Sequence, residues 1–150
     1  GWKMLMECLA AGRGICLPAT ANASSKVATM SMYLYSKHRK QFGLPLVKME
    51  GVQAKLLDMF YQTWVINASI QLTNTLLDQG DKPAVISAIM KQQTTERARE
   101  VLTHGMDIHA GNSICLGYSN FLEKCSTLPS IAASAPSIVS LRVISTHWSP

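Results

Sequence analysis

Residues 34–50 read LYSKHRKQFGLPLVKME, and their types and spacing are the ones in this chain best suited to chemistry. Lys37, His38, Arg39 and Lys40 collect positive charge where an amphipathic helix would end. The carbonyl end of a helix favours cations there. Phe42 and Gly43 then place a flat apolar ring beside permissive backbone, and Pro45 leads into a second amphipathic run. Such a corner can hold an anion, and a phosphate-bearing ligand with an aromatic head would fit it. The same residues also suit a solvated basic helix end followed by an ordinary turn.

Three long periodicities must position this corner. Ile15, Ala19, Ala23, Val27, Met30 and Leu34 recur at steps of three and four, which predicts a helix from about 15 to 39 with these residues on one face. Pro18 then belongs in its first turn. Beyond the turn, Val52, Leu56, Met59, Phe60, Ile66, Ile70 and Leu77 make a second stripe, widened by Leu57, Trp64, Leu72 and Leu76. A stripe that wide predicts burial on more than one side. Gly80-Asp81-Lys82-Pro83 is a stop and a restart. A third helix follows over about 84–109, with Val85, Ile86, Ile89, Met90, Ala98, Val101, Leu102 and Met106 in its stripe, and Ala110-Gly111-Asn112-Ser113 ends it. A short helix from Ser119 to about Cys125 completes the set, and 126–150 has no usable period. Nothing alternates as a strand. The expected fold is all-α: an antiparallel, up-down helical bundle of three long helices and a short one, with an irregular tail.

Composition narrows the class. With 150 residues, 47% hydrophobic and 15% charged, the chain can bury a core. Its net charge of +5 is spread along the chain with no row of aromatics among basic residues, which argues against nucleic acid as a partner. Cys8, Cys16, Cys115 and Cys125 show no CxxC spacing, and the histidines form no metal-ligand pattern. Reduced, mostly buried thiols are expected, and no metal. The run from Trp2 to Ala19 is broken by Arg13 and reads as helix rather than as a signal peptide. Asn22-Ala23-Ser24 and Asn67-Ala68-Ser69 match the glycosylation pattern but sit in helical periodicity, so chance matches are expected. No apolar stretch reaches the roughly 18–20 residues of a transmembrane segment.

Three motifs carry a family resemblance. GWKMLMECLAAGRG, HRKQFGLPL and MDIHAGNSICLGYSNFLEK follow one another in the order and with the gaps of the acyl-CoA dehydrogenase C-terminal domain. The chain resembles that family, and in particular its large bacterial fatty-acid type. The resemblance implies a flavoprotein that takes hydrogen from the α and β carbons of a fatty acyl-CoA in the first step of β-oxidation. It implies FAD as cofactor, acyl-CoA as substrate, an electron-transferring flavoprotein as acceptor, and a homo-oligomer in which this bundle meets a neighbour's FAD. A bacterial cytoplasmic location, or one peripheral to the inner membrane, goes with it. Residues 1–14 then end a preceding domain and lead into the bundle, 15–125 form the flavin-contacting domain, and 126–150 form the tail.

Carried over by position, Arg39 matches the residue that reaches the FAD diphosphate, which suits a guanidinium fork. Gln41 and Phe42 match neighbours of it, the first a hydrogen bonder and the second packing near the adenine. Gly111 matches a turn whose backbone approaches the cofactor. Asp107 stands where relatives often carry Gln, Glu50 likewise, and Ala110 and Ser113 replace glycines of the turn. Arg13 resembles an arginine near the thioester and the catalytic base. In a minority branch that base directly precedes this arginine, where the chain has Gly12.

The majority branch takes its base from a Val/Ile-Glu-Gly segment after the glycine-rich turn, yet 125–150 contains no Asp or Glu. Codons available to Ser140–Ser149, read two nucleotides later, spell Ile-Glu-Gly-Asp-Ile-Asn-Thr-Leu-Val, so a frameshift near Cys125 would account for the tail. The chain is therefore expected to be a fragment without its catalytic Glu, inactive alone and exposing apolar faces. The alternative is a non-catalytic helical interaction module.

Overall fold

The computed structural model of the chain describes residues 1–4, 12–80 and 84–113. Within them an all-α bundle is built from α1 (Leu17–His38), α2 (Glu50–Asp78) and α3 (Ala84–His109), each packed against the other two. The short helix expected at Ser119–Cys125 and the tail from 126 lie outside the described residues, as do Cys8, Cys115 and Cys125.

The cross-links fix the helix directions. Thr29 meets Thr63 (3.0 Å) and Asn22 donates to Asn67 (3.1 Å), so α1 and α2 run antiparallel. Lys55 meets Asp107 (2.6 Å) and Asp58 meets His104 (3.1 Å), so α2 and α3 do too. α1 and α3 are therefore parallel, and their C-terminal ends meet where Tyr35 touches His109 and Asn112. The two asparagines of the glycosylation-like triplets are each other's hydrogen-bond partners between facing helices.

The periodicity predicts a helix from residue 15, but α geometry begins at Leu17, after a π-helical turn over Gly12–Cys16. Two local facts account for the irregular start. Pro18 occupies the first turn and has no N–H to give. Gly14 passes so close to α3 that a Cβ would overlap the side chain of Ser87. Cys16, expected to be buried, is an exposed free thiol.

The main core joins Ala28, Met32, Leu56, Met59, Val101, Leu102 and Ile108 from all three helices. A smaller cluster unites Ala21, Ile66 and Ala98. Burying one large apolar side chain fully stabilises by about 1.5–3 kcal/mol. The first stripe of α2 faces this core at Leu56, Met59 and Ile66, as its spacing predicts.

The apolar stripe of α1 faces outward, one of the exposed apolar faces expected of a fragment. Val27, Met30 and Leu34 are exposed, and the inward face carries Ala21, Ser25, Ala28, Thr29, Met32 and Ser36. Small and hydroxyl side chains let α1 approach its neighbours, and their oxygens are satisfied locally: Ser25 donates to the Ala21 carbonyl at 2.8 Å, and Thr29 pairs with Thr63. Leu57, Trp64 and Leu72 on α2 and Val85, Ile86 and Ile89 on α3 are exposed as well. Among the described residues no helix is long and apolar enough to cross a membrane.

Candidate functional site

The end of α1 is held firmly. Arg39 caps the helix: its N–H donates to the Tyr35 carbonyl (2.8 Å) and its carbonyl accepts from Leu46 N–H (2.9 Å). No strand is expected here from sequence, yet β1 (Lys40–Gln41) pairs antiparallel with β2 (Leu44–Pro45). Strands of two residues are too short for alternation to show. Phe42 (φ 52°) and Gly43 (φ 79°) form the two-residue turn, both in the left-handed region that this tight hairpin requires.

Glycine adopts that conformation freely; phenylalanine does so at a cost of about 1–2 kcal/mol. The Phe42 ring is also 94% exposed, so the fold gains nothing from it. Asparagine is the favoured residue at this turn position. Phe42→Asn is accordingly expected to raise stability by about 1 kcal/mol, read as a higher denaturation midpoint by circular dichroism. A lowered midpoint would mean that the ring supports the bundle.

The end of α3 shows a related strain. Ala110 has φ 55° and opens a 3-10 turn over Ala110–Ser113, while Gly111, one residue on, does not occupy the left-handed region. A helix-terminal left-handed position ordinarily calls for glycine. Ala110→Gly is expected to stabilise the chain by about 1 kcal/mol, a gain of a few degrees in Tm. An unchanged or lower Tm would show that the turn is not strained by the methyl group.

Between these two helix ends opens a cleft of about 320 Å³. Tyr35 and Arg39 line it from α1, Gln41 from the hairpin, and Leu46 and Val52 from the approach to α2 and its first turn. Asp107, Ile108, His109 and the turn Ala110, Gly111 and Asn112 close the other side. Four expected ligand residues, Arg39, Gln41, Asp107 and Gly111, thus share one cavity. Phe42 is not in the lining and projects from the hairpin tip. Arg13 lies in the π-helical turn, and its side chain is outside the described residues.

Arg39 makes no ion pair among the described residues, so its fork is available to an anion. Among the described residues Asp107 is the one carboxylate of the lining, and it is paired with Lys55 at 2.6 Å. Both partners are about half exposed, so the pair adds little stability. Its effect is to set an ammonium group against the negative charge that would otherwise oppose an anionic ligand. Gly111 faces open space, leaving its backbone approachable. A cation, an approachable backbone and an aromatic wall fit the diphosphate and nucleoside of FAD.

Sequence reasoning passes over Tyr35, His109 and Asn112. Tyr35 precedes Arg39 by four positions, hence lies on the same helix face, and that spacing was the available signal. Its ring meets His109 edge-on with centroids 4.6 Å apart, and its hydroxyl receives the Asn112 amide at 3.4 Å. Burial lowers the His109 pKa from the usual 6.5, so the ring is neutral at pH 7.

Known proteins share this fold. The sequence profile of the acyl-CoA dehydrogenase C-terminal domain matches residues 1–126. The short-chain specific acyl-CoA dehydrogenase of Megasphaera elsdenii is 32% identical over 119 residues, 79% of this chain and 30% of that protein. Acryloyl-CoA reductase (NADH) of Anaerotignum propionicum is 30% identical over 112 residues, 74% of this chain and 28% of that one. The solved structure of butyryl-CoA dehydrogenase from Megasphaera elsdenii superposes with a TM-score of 0.83 at 28% identity, covering 98% of this chain and 38% of the other. This chain spans about three tenths of the length of the curated relatives it matches. From the shared bundle and the profile that runs through both halves of the cleft, it follows that the chain belongs to the acyl-CoA dehydrogenase family, as a C-terminal helical domain of that family.

Proposed function

We propose that this domain grips the diphosphate and adenosine of FAD for an acyl-CoA dehydrogenase acting on fatty acyl-CoA thioesters. One observation carries the reading: residues far apart in the chain, at 39–41 and 107–111, converge on a single cleft with an unpaired guanidinium at its edge. FAD, when bound, supplies the acceptor for the hydride leaving the β carbon.

The chain's own part is electrostatic and positional. Arg39 presents paired N–H donors to phosphate oxygens from a backbone fixed at both its N–H and its carbonyl. Gln41 offers an amide beside it, and Phe42 stands ready to lie against a flat ring outside the cleft. Lys55 keeps the Asp107 charge from opposing the anion. Arg13 is proposed to face the thioester. The proton at the α carbon requires a carboxylate base, and no residue in 125–150 can be one. The exposed faces at Val27, Met30 and Leu34 and at Leu57 and Trp64 support association with a second copy, whose FAD this cleft would hold. Electrons then pass to an electron-transferring flavoprotein.

Titrating FAD with the chain while following flavin fluorescence anisotropy tests this. Anisotropy should rise to saturation and the affinity should fall with added salt, since screening weakens an exposed charge contact. A flat titration at low salt would remove the reading and leave a non-catalytic interaction module.

A further inference from the structure

We propose that His109 contacts the ligand directly, hydrogen-bonding the nucleoside half of FAD while Arg39 holds the diphosphate; this rests on the flavin reading above. His109 is only 5% exposed, yet it lines the cleft. Neither of its ring nitrogens has a hydrogen-bond partner among the described residues, and Nδ1 is sealed from solvent. Nε2 is therefore the nitrogen open to a ligand. Nδ1 stays sealed whatever binds, which leaves Nε2, an imidazole nitrogen without a protein partner among the described residues on a side chain that lines the cleft.

The surroundings say which part of the ligand. The cleft that His109 lines also carries the Tyr35 ring, in contact with it, and the apolar side chains of Leu46, Val52 and Ile108, surfaces suited to a base and its sugar. Beside them stand the polar Arg39, Gln41, Asp107 and Asn112. The charged groups stand apart in role: Arg39 comes from the end of α1, and Asp107 is engaged by Lys55 of α2. His104, further back on α3, is paired with Asp58. Burial keeps the His109 ring uncharged at pH 7, in which form one nitrogen donates and the other accepts. A hydroxyl or a base nitrogen matches that; a phosphate would draw a proton onto the ring. The Tyr35 edge contact fixes the ring plane, so the hydrogen bond is set before the ligand arrives.

The test uses three probes, FAD, ADP and inorganic pyrophosphate, against the unaltered chain and three variants. His109→Phe keeps the ring against Tyr35 but has no nitrogen; His109→Gln places an amide nitrogen near Nε2; Arg39→Ala removes the cation. His109→Phe should weaken FAD and ADP about tenfold and leave pyrophosphate unchanged. His109→Gln should stay within about threefold of the unaltered chain, and Arg39→Ala should weaken all three probes. Unchanged FAD and ADP binding by His109→Phe, or an equal loss for pyrophosphate, overturns the assignment to His109 alone. Failure of the unaltered chain to bind any probe overturns the flavin reading with it. Should His109→Phe not fold, the imidazole Nε2 resonance of the unaltered chain decides: it must shift with ADP and hold still with pyrophosphate.

Discussion

Arg39→Ala is expected to weaken FAD binding about 30-fold, the scale of a lost pair of charge-assisted hydrogen bonds. The guanidinium is always charged and presents its donors in a rigid fork, and the backbone that carries it is held at both ends by Tyr35 and Leu46. Little ordering therefore remains to be done on binding. Arg39→Lys should recover only part of the loss, because an ammonium is a point charge and cannot form the parallel pair. Lys40→Ala, on the first residue of β1, should cost at most about threefold, since an exposed charge near an anion acts through screened attraction alone. Calorimetric titration of FAD into the three variants at one ionic strength measures all of this. Equal losses from Arg39→Ala and Lys40→Ala would mean that only net charge matters and that no specific grip exists.

Met59→Ala is expected to destabilise the chain by about 3 kcal/mol, the middle of the range for removing a long buried side chain. Met59 is completely buried and sits where α1, α2 and α3 meet, against the cluster of Ala28, Met32, Leu56, Val101, Leu102 and Ile108. Three helices are held rigidly around it, so the space left behind cannot close well. Urea denaturation of the variant should show the midpoint displaced with the slope preserved. The damage should reach ligand binding too, because Ile108 of the same cluster also lines the cleft. Leu57→Ala provides the contrast: that side chain is 72% exposed and should cost under about 0.5 kcal/mol. A loss below about 1 kcal/mol for Met59→Ala would show a core able to collapse around the gap.

The ends of α3 were legible because its boundaries are written in residue chemistry: a Gly and Pro restart before Ala84, and a glycine-containing turn after His109. The inward face of α1 was not. Periodicity tells which side chains share a face, not what lies opposite. Val27, Met30 and Leu34 are the more apolar face, but α1 lies against α2 and α3 through its small and hydroxyl residues. The hairpin escaped for a different reason, since its shape follows from two left-handed residues and a pair of strands too short to alternate. Within the cleft, Arg39, Gln41, Asp107 and Gly111 came from motifs. Tyr35 and His109 look like packing residues in a sequence; only the parallel placing of α1 and α3 brings their rings together.

That parallel placing has an electrical consequence. Both α1 and α3 terminate at the cleft while only α2 begins there, so two negative poles against one positive face the place where an anion is to sit. By its peptide dipoles alone this end of the bundle would prefer a cation. Lys37, His38, Arg39 and Lys40 must first reverse that polarity before they attract anything, which is why the run is dense here and basic residues are sparse elsewhere on α1. Stripped of Lys37, Arg39 and Lys40 together, the same backbone should switch its preference and repel the phosphates it otherwise gathers.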